Sequence, residues 1–330
     1  MYSLGGRKLN KPLFTVITPT FNRGYTLHRV YESLKTQTYR GFEWVIIDDG
    51  STDETRELIK RWWEETTDFL IRYYWQKNKG KHVAFNRGVR EAQGEFIIPL
   101  DSDDACVPEA LERFKYHWDS IPPDQKALFS GVCALCRDQN GKMVGNRFPF
   151  EITDSDSLEI YYRYKVRGEK WGFQRTDILR QHPFPEIKDI KFIPEGVVWN
   201  AIAKTYKIRF VNEILRIYWK QEFNHSDQLT HTLNNTSNYA RGCALYYESC
   251  LNEHIVWCRY APLEFFRSAI HYIRFSRLSN VDIVQMLRNI RPIIGKVLVL
   301  LAIPVGVFLY NFEKRNINII SRYKSLFKST

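Results

Sequence analysis

Four apolar runs rich in β-branched and aromatic residues open the chain. They begin at Phe14 (FTVIT), Phe42 (FEWVIID), Phe69 (FLIRYYW) and Phe96 (FIIPLD), with starts 28, 27 and 27 residues apart. Between them the apolar positions change to helical spacing. Leu27, Val30, Tyr31 and Leu34 fall at i, i+3, i+4 and i+7, and Leu58, Ile59 and Trp62 follow the start signal Ser51-Thr52-Asp53. This alternation predicts parallel strands joined by right-handed helical crossovers, an open twisted sheet covered by helices. Ligands of such sheets bind at the carboxyl ends of the strands.

After Asp101 the rhythm stops. Pro108–Trp118 reads as a helix ended by Pro122-Pro123, Ala127–Cys136 as a strand, and Asn140-Gly141 as the turn of a hairpin. The text from Tyr161 to Ile217 is mixed and aromatic, with a helix expected over Glu195–Tyr206. Asn238–Phe275 is helical in pattern, and Val281, Ile283, Val284, Leu287 and Ile290 predict an amphipathic helix after Asn280. Ile293–Tyr310 is apolar except for Lys296, and its uninterrupted core, Val297–Tyr310, has 14 residues. That is short of the roughly 20 a spanning helix needs. Arg288 and Arg291 precede it; Lys314, Arg315, Arg322, Lys324 and Lys328 follow. Basic flanks on a short apolar segment predict a helix or wedge lying in an anionic interface rather than crossing it, a core helix packed on the protein being the alternative. The expected organisation is a first half over 1–118, a second half over 119–235, and a helical region over 236–330 carrying the membrane-associating segment.

With 330 residues, 44% hydrophobic and 26% charged, the chain can bury a core, which excludes wholesale disorder and coiled coil. Forty-eight Lys and Arg against 37 Asp and Glu leave +11, a balance suited to polyanions, anionic lipid or phosphorylated substrates. No helix-turn-helix, zinc-finger or RNP-like run accompanies the charge, so nucleic acid is not an expected partner. Six scattered cysteines, and an opening Met1–Leu9 that carries Arg7 and Lys8 without an apolar run behind it, predict a reducing, cytoplasmic location. The sequons at Asn224, Asn234 and Asn235 are then chance matches. Cys133-Ala-Leu-Cys136 has metal-clip spacing but no second ligand pair, so buried thiols are expected there.

The chemistry concentrates where the predicted strands end. Strand two runs into Asp48-Asp49-Gly50-Ser51 and strand four into Asp101-Ser102-Asp103-Asp104. Three acids within four residues repel unless something neutralises them, and Mg²⁺ or Mn²⁺ bound through oxygens, with a substrate diphosphate completing the shell, would do so. Acids decorating a helix N-terminus are the plain alternative. The loops Pro19-Thr20-Phe21-Asn22-Arg23 and Asn78-Lys79-Gly80-Lys81-His82 each lead into a helix whose amides, with Arg23 and Lys81, suit an anion. Basic loops after strands one and three and acidic loops after two and four suit a metal-chelated nucleoside diphosphate.

Four stretches in order, Ile17–Arg23, Glu43–Asp53, Asn78–Asn86 and Gly94–Asp104, resemble the nucleotide-sugar half of family 2 glycosyltransferases, which have the GT-A fold; the match covers about residues 12–118. The resemblance implies a Rossmann-like, mostly parallel twisted α/β sheet flanked by helices, with a helical C-terminal extension. It implies that Thr18, Pro19 and Thr20 line the nucleotide, that Arg23 lies near its phosphates, and that Asp49, or less so Asp48, receives the base. Gly80, Lys81 and Asn86 would flank nucleoside and diphosphate. Asp101-Ser102-Asp103 would be the DXD element, with Asp103 and Asp104 the metal and ribose contacts. Where the family often has Arg before the Asn of the third motif this chain has Phe85, leaving Arg87 or Lys81 to supply that charge. The family's acid roughly 90 residues past the DXD element matches Glu195 in Phe192–Trp199, preceded by Trp171-Gly172-Phe173 on the acceptor side. Glu195 is the expected general base, Asp189 the reserve.

His225 and His231, in the polar stretch Gln221–His231, are candidates for metal or phosphate contact, and Trp171, Trp199 and Trp219 for stacking on a sugar, against surface and packing roles respectively. The expected function is metal-dependent inverting transfer from a nucleoside-diphosphate sugar, UDP-linked by resemblance, to a hydroxyl of a saccharide or polyprenyl-linked glycan at the cytoplasmic face of a membrane. A non-catalytic sugar-nucleotide or membrane-surface scaffold is the alternative. Sugar identity and oligomeric state are not legible.

Overall fold

The computed structural model describes residues 11–219 and 237–326. His225, His231 and the three sequons lie outside the described residues. The predicted βα rhythm is present as β1 (Phe14–Thr20), α1 (Gly24–Lys35), β2 (Phe42–Asp48), α2 (Thr55–Glu65), β3 (Leu70–Trp75), α3 (Lys81–Glu91) and β4 (Phe96–Pro99). β1 pairs in parallel with both β2 and β4, and β2 with β3. Every residue of β1 and β2 is buried, as helices on both faces of a parallel sheet require.

Beyond β4 the sheet becomes mixed. The chain continues through β5 (Ala105–Cys106), α4 (Ala110–Asp119), β6 (Phe129–Asp138), β7 (Ile152–Ser155), α5 (Ser157–Tyr162), β8 (Lys170–Arg175), α6 (Thr176–Gln181), α7 (Gly196–Ala203) and β9 (Lys207–Tyr218). The strand order is β3-β2-β1-β4-β8-β6-β9-β5, with β7 also on β9. β8 runs antiparallel to β4 and β6, β9 is parallel to β6, and β5 and β7 are antiparallel to β9. The parallel expectation therefore describes the first four strands, whereas four of the five pairings beyond them are antiparallel. The core joins the halves: Phe14, Phe96 and Phe173 meet at ring distances of 4.6–5.6 Å, and Trp118 adds an edge contact to Phe96. Trp171 belongs here too, packed on Phe114 and donating Nε1–H to the Pro99 carbonyl at 2.6 Å, so it is a core residue rather than a sugar platform.

Cys136 joins this main core, whereas Cys133 packs on a smaller cluster around Leu135 and Phe148, and burial pushes both thiols up to about 12.

The chain divides into two compact units, residues 1–186 with 198–222 and residues 187–197 with 223–330. The second contains α8 (Ser237–Glu253), α9 (Pro262–Leu278), α10 (Ile283–Asn289) and α11 (Ile293–Leu326). The expected single helical stretch over 238–275 is broken by a 3-10 turn at Ile255–Arg259, after which Pro262 opens α9 where its missing N–H costs nothing. Asp282 caps α10 by accepting from the Gln285 amide at 2.9 Å.

Candidate active site

Because β1 to β4 are parallel, the loops that follow them emerge on one rim. The first two are laced together. The Asn22 amide donates to Ser51 Oγ at 2.9 Å, and the Thr52 amide donates to Asn22 Oδ1 at 2.8 Å. Asp53 accepts from the first amides of two helices, Gly24 of α1 at 3.1 Å and Thr55 of α2 at 3.2 Å. The amide of α1 expected to face an anion is thus already occupied by a carboxylate of the chain itself. Replacing Asp53 by Ala should cost about 2 kcal/mol, the upper end for a single cap because two helices lose their acceptor, and chemical denaturation will measure it.

Asp48 and Asp49 have separate tasks. Asp48 accepts from the Tyr73 hydroxyl at 2.6 Å and the Ser51 amide at 2.7 Å and is fully buried. Asp49 shapes the third loop, accepting from the Lys79 amide at 2.9 Å, the Gly80 amide at 2.7 Å and Gln76 Nε2 at 2.8 Å. Gly80 takes φ +101°, which side-chain-bearing residues rarely adopt, so this turn into α3 depends on glycine.

Two expected nucleotide contacts face elsewhere. Thr18 is fully buried, and its Oγ1 accepts from Trp44 Nε1 at 2.9 Å beneath the rim. Asn86 is tied to the segment after α6: its Nδ2 donates to the Phe184 carbonyl and to Glu186 Oε1, each at 2.9 Å, and its Oδ1 accepts from the Phe184 amide at 2.9 Å. It fastens α3 to that segment. Phe85 beside it packs edge-on to Phe184 and Trp199, a hydrophobic use of the position where an arginine was expected. Arg87 is turned to the Trp75 carbonyl at 2.8 Å. Pro19 is buried in β1, and Thr20 Oγ1, at the end of the strand, is buried with no hydrogen-bond partner among the described residues.

The acidic turn Asp101–Asp104 is held from four directions. From α1, Thr26 Oγ1 donates to the Ser102 carbonyl at 3.0 Å and Arg29 Nη1 to the Asp103 carbonyl at 3.3 Å. From the start of α3, Lys81 Nζ pairs with Asp101 Oδ1 at 2.7 Å. From β9, Arg216 engages Asp104 Oδ2 through Nε at 2.9 Å and through Nη2, and Nη2 also reaches Asp101 at 3.4 Å. The Trp219 amide donates to the other Asp104 oxygen at 2.9 Å, and the Trp219 ring lies 4.1 Å from the Arg29 guanidinium.

The charges follow this geometry. Burial works against ionisation of Asp101, yet Lys81 and Arg216 hold its carboxyl below the usual range. Burial and then the neighbouring Asp101 push Asp103 up. Burial also raises Asp104, against the pull of Arg216, which is itself kept protonated by Asp104 and Asp101 despite its burial. Arg23 adds positive potential at Asp101 and Asp103.

This arrangement changes the expected metal pair. Asp104 is 1% exposed with both oxygens engaged by Arg216 and Trp219, so it serves as an internal counter-ion. Among the described residues no group of three or more His, Cys, Asp or Glu side chains is arranged to hold a metal by itself. The donor set fits a cation bound by one carboxylate, Asp103, and completed by substrate oxygens. Arg216 stands in no motif, and the one sequence signal for its place in a strand is a cation alternating with Leu215 and Ile217. Glu195 and Asp189 belong to the second unit, both exposed, Glu195 immediately before α7 and Asp189 at φ +66°.

Comparison with known proteins agrees with the rim. The glycosyl transferase family 2 model matches residues 15–176. An uncharacterized glycosyltransferase of Haemophilus influenzae is 34% identical over 184 residues, 54% of this chain and 69% of that protein. The GalNAc(5)-diNAcBac-PP-undecaprenol beta-1,3-glucosyltransferase of Campylobacter jejuni is 33% identical over 210 residues, 63% of this chain and 64% of that protein. Among solved structures, residues 1–349 of S. aureus TarS in complex with UDP-GlcNAc superpose with a TM-score of 0.56 at 18% identity, covering 92% of this chain and 91% of that one. The mannosyltransferase PcManGT of Pyrobaculum calidifontis, with GDP-Man and Mn²⁺, gives 0.52 at 17% identity over 97% of this chain and 88% of that one. With the four motif loops gathered on one rim of the matching sheet, the chain belongs to glycosyl transferase family 2 and is a glycosyltransferase of the GT-A fold.

Proposed function

We propose that the chain is an inverting transferase that moves a sugar from a nucleoside-diphosphate donor, UDP-linked as first candidate, to a hydroxyl of a saccharide or polyprenyl-linked glycan in surface polysaccharide synthesis. The observation that carries this is the acidic turn Asp101–Asp104 clamped beside the Asp49–Gly80 loop at the carboxyl rim. Asp49 accepts three hydrogen bonds of the roughly four a carboxylate can take, leaving capacity for a base N–H. The unpartnered Thr20 hydroxyl, Pro19 and the Gly80 backbone complete the nucleoside side. Lys81, Arg23, Asp101 and Ser102 frame the ribose and diphosphate. The 1–118 half thus serves the donor and 119–235 the acceptor.

Asp103 is the residue that would hold Mg²⁺ or Mn²⁺, which when bound supplies Lewis-acid stabilisation of the departing diphosphate. Lys81 and Arg23 add fixed positive charge to the same leaving group. Glu195 takes the proton of the acceptor hydroxyl as that oxygen attacks the anomeric carbon, so inversion needs no covalent intermediate. The undecaprenol-linked substrate named for the Campylobacter relative supports a lipid-linked acceptor, and with it work at the cytoplasmic membrane face and peripheral contact through 293–310.

A panel of nucleotides and nucleotide sugars, with and without Mn²⁺, should raise the melting temperature most for one nucleoside class. With that donor, Glu195→Gln should lower turnover by about 10²–10⁴-fold while donor affinity stays within about twofold. Equal loss of donor affinity, or unchanged turnover, would remove Glu195 from this role.

A further inference from the structure

Helix α11 has two faces with different surroundings. Gly295, Val299, Ala302, Gly306 and Tyr310, four, three, four and four residues apart, form a buried seam. At Gly306 a Cβ would lie 2.7 Å from Ile273 Cβ, so glycine lets α9 approach closely. Farther along, the Arg277 guanidinium lies over the Tyr310 ring at 5.3 Å, and Arg274 Nε pairs with Glu313 at 2.6 Å. Away from the seam, Ile293, Val297, Leu301, Val305, Phe308 and Phe312 form a continuous stripe, each between 43% and 80% exposed. The packing read from the sequence thus occupies one face of the helix, and the opposite face is apolar and exposed.

We propose that this stripe docks on an anionic lipid leaflet, with α11 lying flat in the interface and every stripe residue at one shallow depth. The proposal rests on the membrane contact proposed above and adds which face of the helix makes it and through which residues. Three observations favour it. No Asp or Glu occurs from Ile293 to Phe312, while Arg288, Arg291 and Lys296 stand at one end of the stripe and Lys314 and Arg315 at the other. Cations at both ends would confront cations in an antiparallel pairing of two copies and equally in a parallel one, but both ends suit lipid phosphates. The apolar window Ile293–Arg315, 23 residues, is about 34 Å long and could reach across hydrocarbon. Crossing, however, would draw α9 in beside it, with Glu264, the largely exposed Arg267, and the Arg274–Glu313 pair, and charged groups are costly there. Lying flat buries the stripe and leaves those charges in water.

The test uses the full chain with spin labels placed singly by Val297→Cys, Leu301→Cys, Phe308→Cys and Phe312→Cys, the unsubstituted chain serving as background for its own cysteines. Flotation with vesicles of phosphatidylcholine alone and of phosphatidylcholine mixed with phosphatidylglycerol comes first. Binding should require the anionic lipid, and Leu301→Asp with Phe308→Asp should lower it about tenfold or more at an unchanged circular dichroism spectrum. Depth measured by paramagnetic relaxation should then be equal at all four positions. Depth greatest near the helix middle would overturn the flat orientation while leaving membrane contact standing. Absence of vesicle binding, or labels protected only by self-association seen in light scattering, would overturn the lipid occupant itself. Donor binding, followed by thermal shift, is independent of either result.

Discussion

Asp103→Asn is expected to lower sugar transfer by roughly 10²–10³-fold, the rate equivalent of a few kcal/mol of charge stabilisation on the leaving diphosphate. The substitution keeps shape and removes only charge. Burial and the neighbouring Asp101 charge push the Asp103 carboxyl up, strain that a bound cation would relieve, while Asp101 meets Lys81 and Asp104 meets Arg216. The loss should fall on chemistry and on the Mn²⁺ concentration needed for half-maximal rate. The ligand-free melting temperature should move by no more than about 2 °C, since the exchange is isosteric at a half-buried turn position. Steady-state kinetics across a Mn²⁺ titration, beside a ligand-free melt, makes the check. A transfer rate within a factor of about three of the parent would remove Asp103 from the leaving-group machinery.

The first half of the sheet was legible because its signals are local. Strand starts near 27 residues apart and helical spacing in between specify β1 to β4, and the positions of Asp49, Gly80 and the acidic turn follow from their place at strand ends. What stayed hidden depends on partners far along the chain. Asn86 resembles a ligand-binding residue by motif, yet its amide is consumed by Phe184 and Glu186, about one hundred residues later. Asp104 stands in an acid cluster that suggests a metal, yet its partner Arg216 lies 112 residues away, in a strand masked by the mixed text from Tyr161 to Ile217. Periodicity also cannot distinguish the two faces of α11, since Gly295, Val299 and Ala302 are as apolar as the stripe beside them. Only packing, against Leu251 and Ile290 at Gly295 and against α9 at Gly306, separates buried seam from exposed face.

Arg216→Met should produce a larger loss of stability than any other single substitution at the rim, about 3–5 kcal/mol, because it strands Asp104 as an uncompensated buried charge. The arginine is 6% exposed, and its fork closes on Asp104 while also meeting Asp101, so methionine fills the volume without answering either carboxylate. A fall in melting temperature on the order of 10 °C is the expected reading. Were the arginine only filling space, Met would be nearly neutral, since volume-conserving exchanges in a core usually cost less than about 1.5 kcal/mol. Adding Asp104→Asn to Arg216→Met removes the stranded charge, so the double variant should recover part of the loss and the two effects should be non-additive by at least about 1 kcal/mol. Asp104→Asn alone should destabilise as well, because it leaves Arg216 buried with half its partners gone. Additive effects in that cycle would mean that Asp104 and Arg216 do not depend on one another, and the acidic turn would then owe its shape to its other contacts, from Thr26, Arg29, Lys81 and the Trp219 amide.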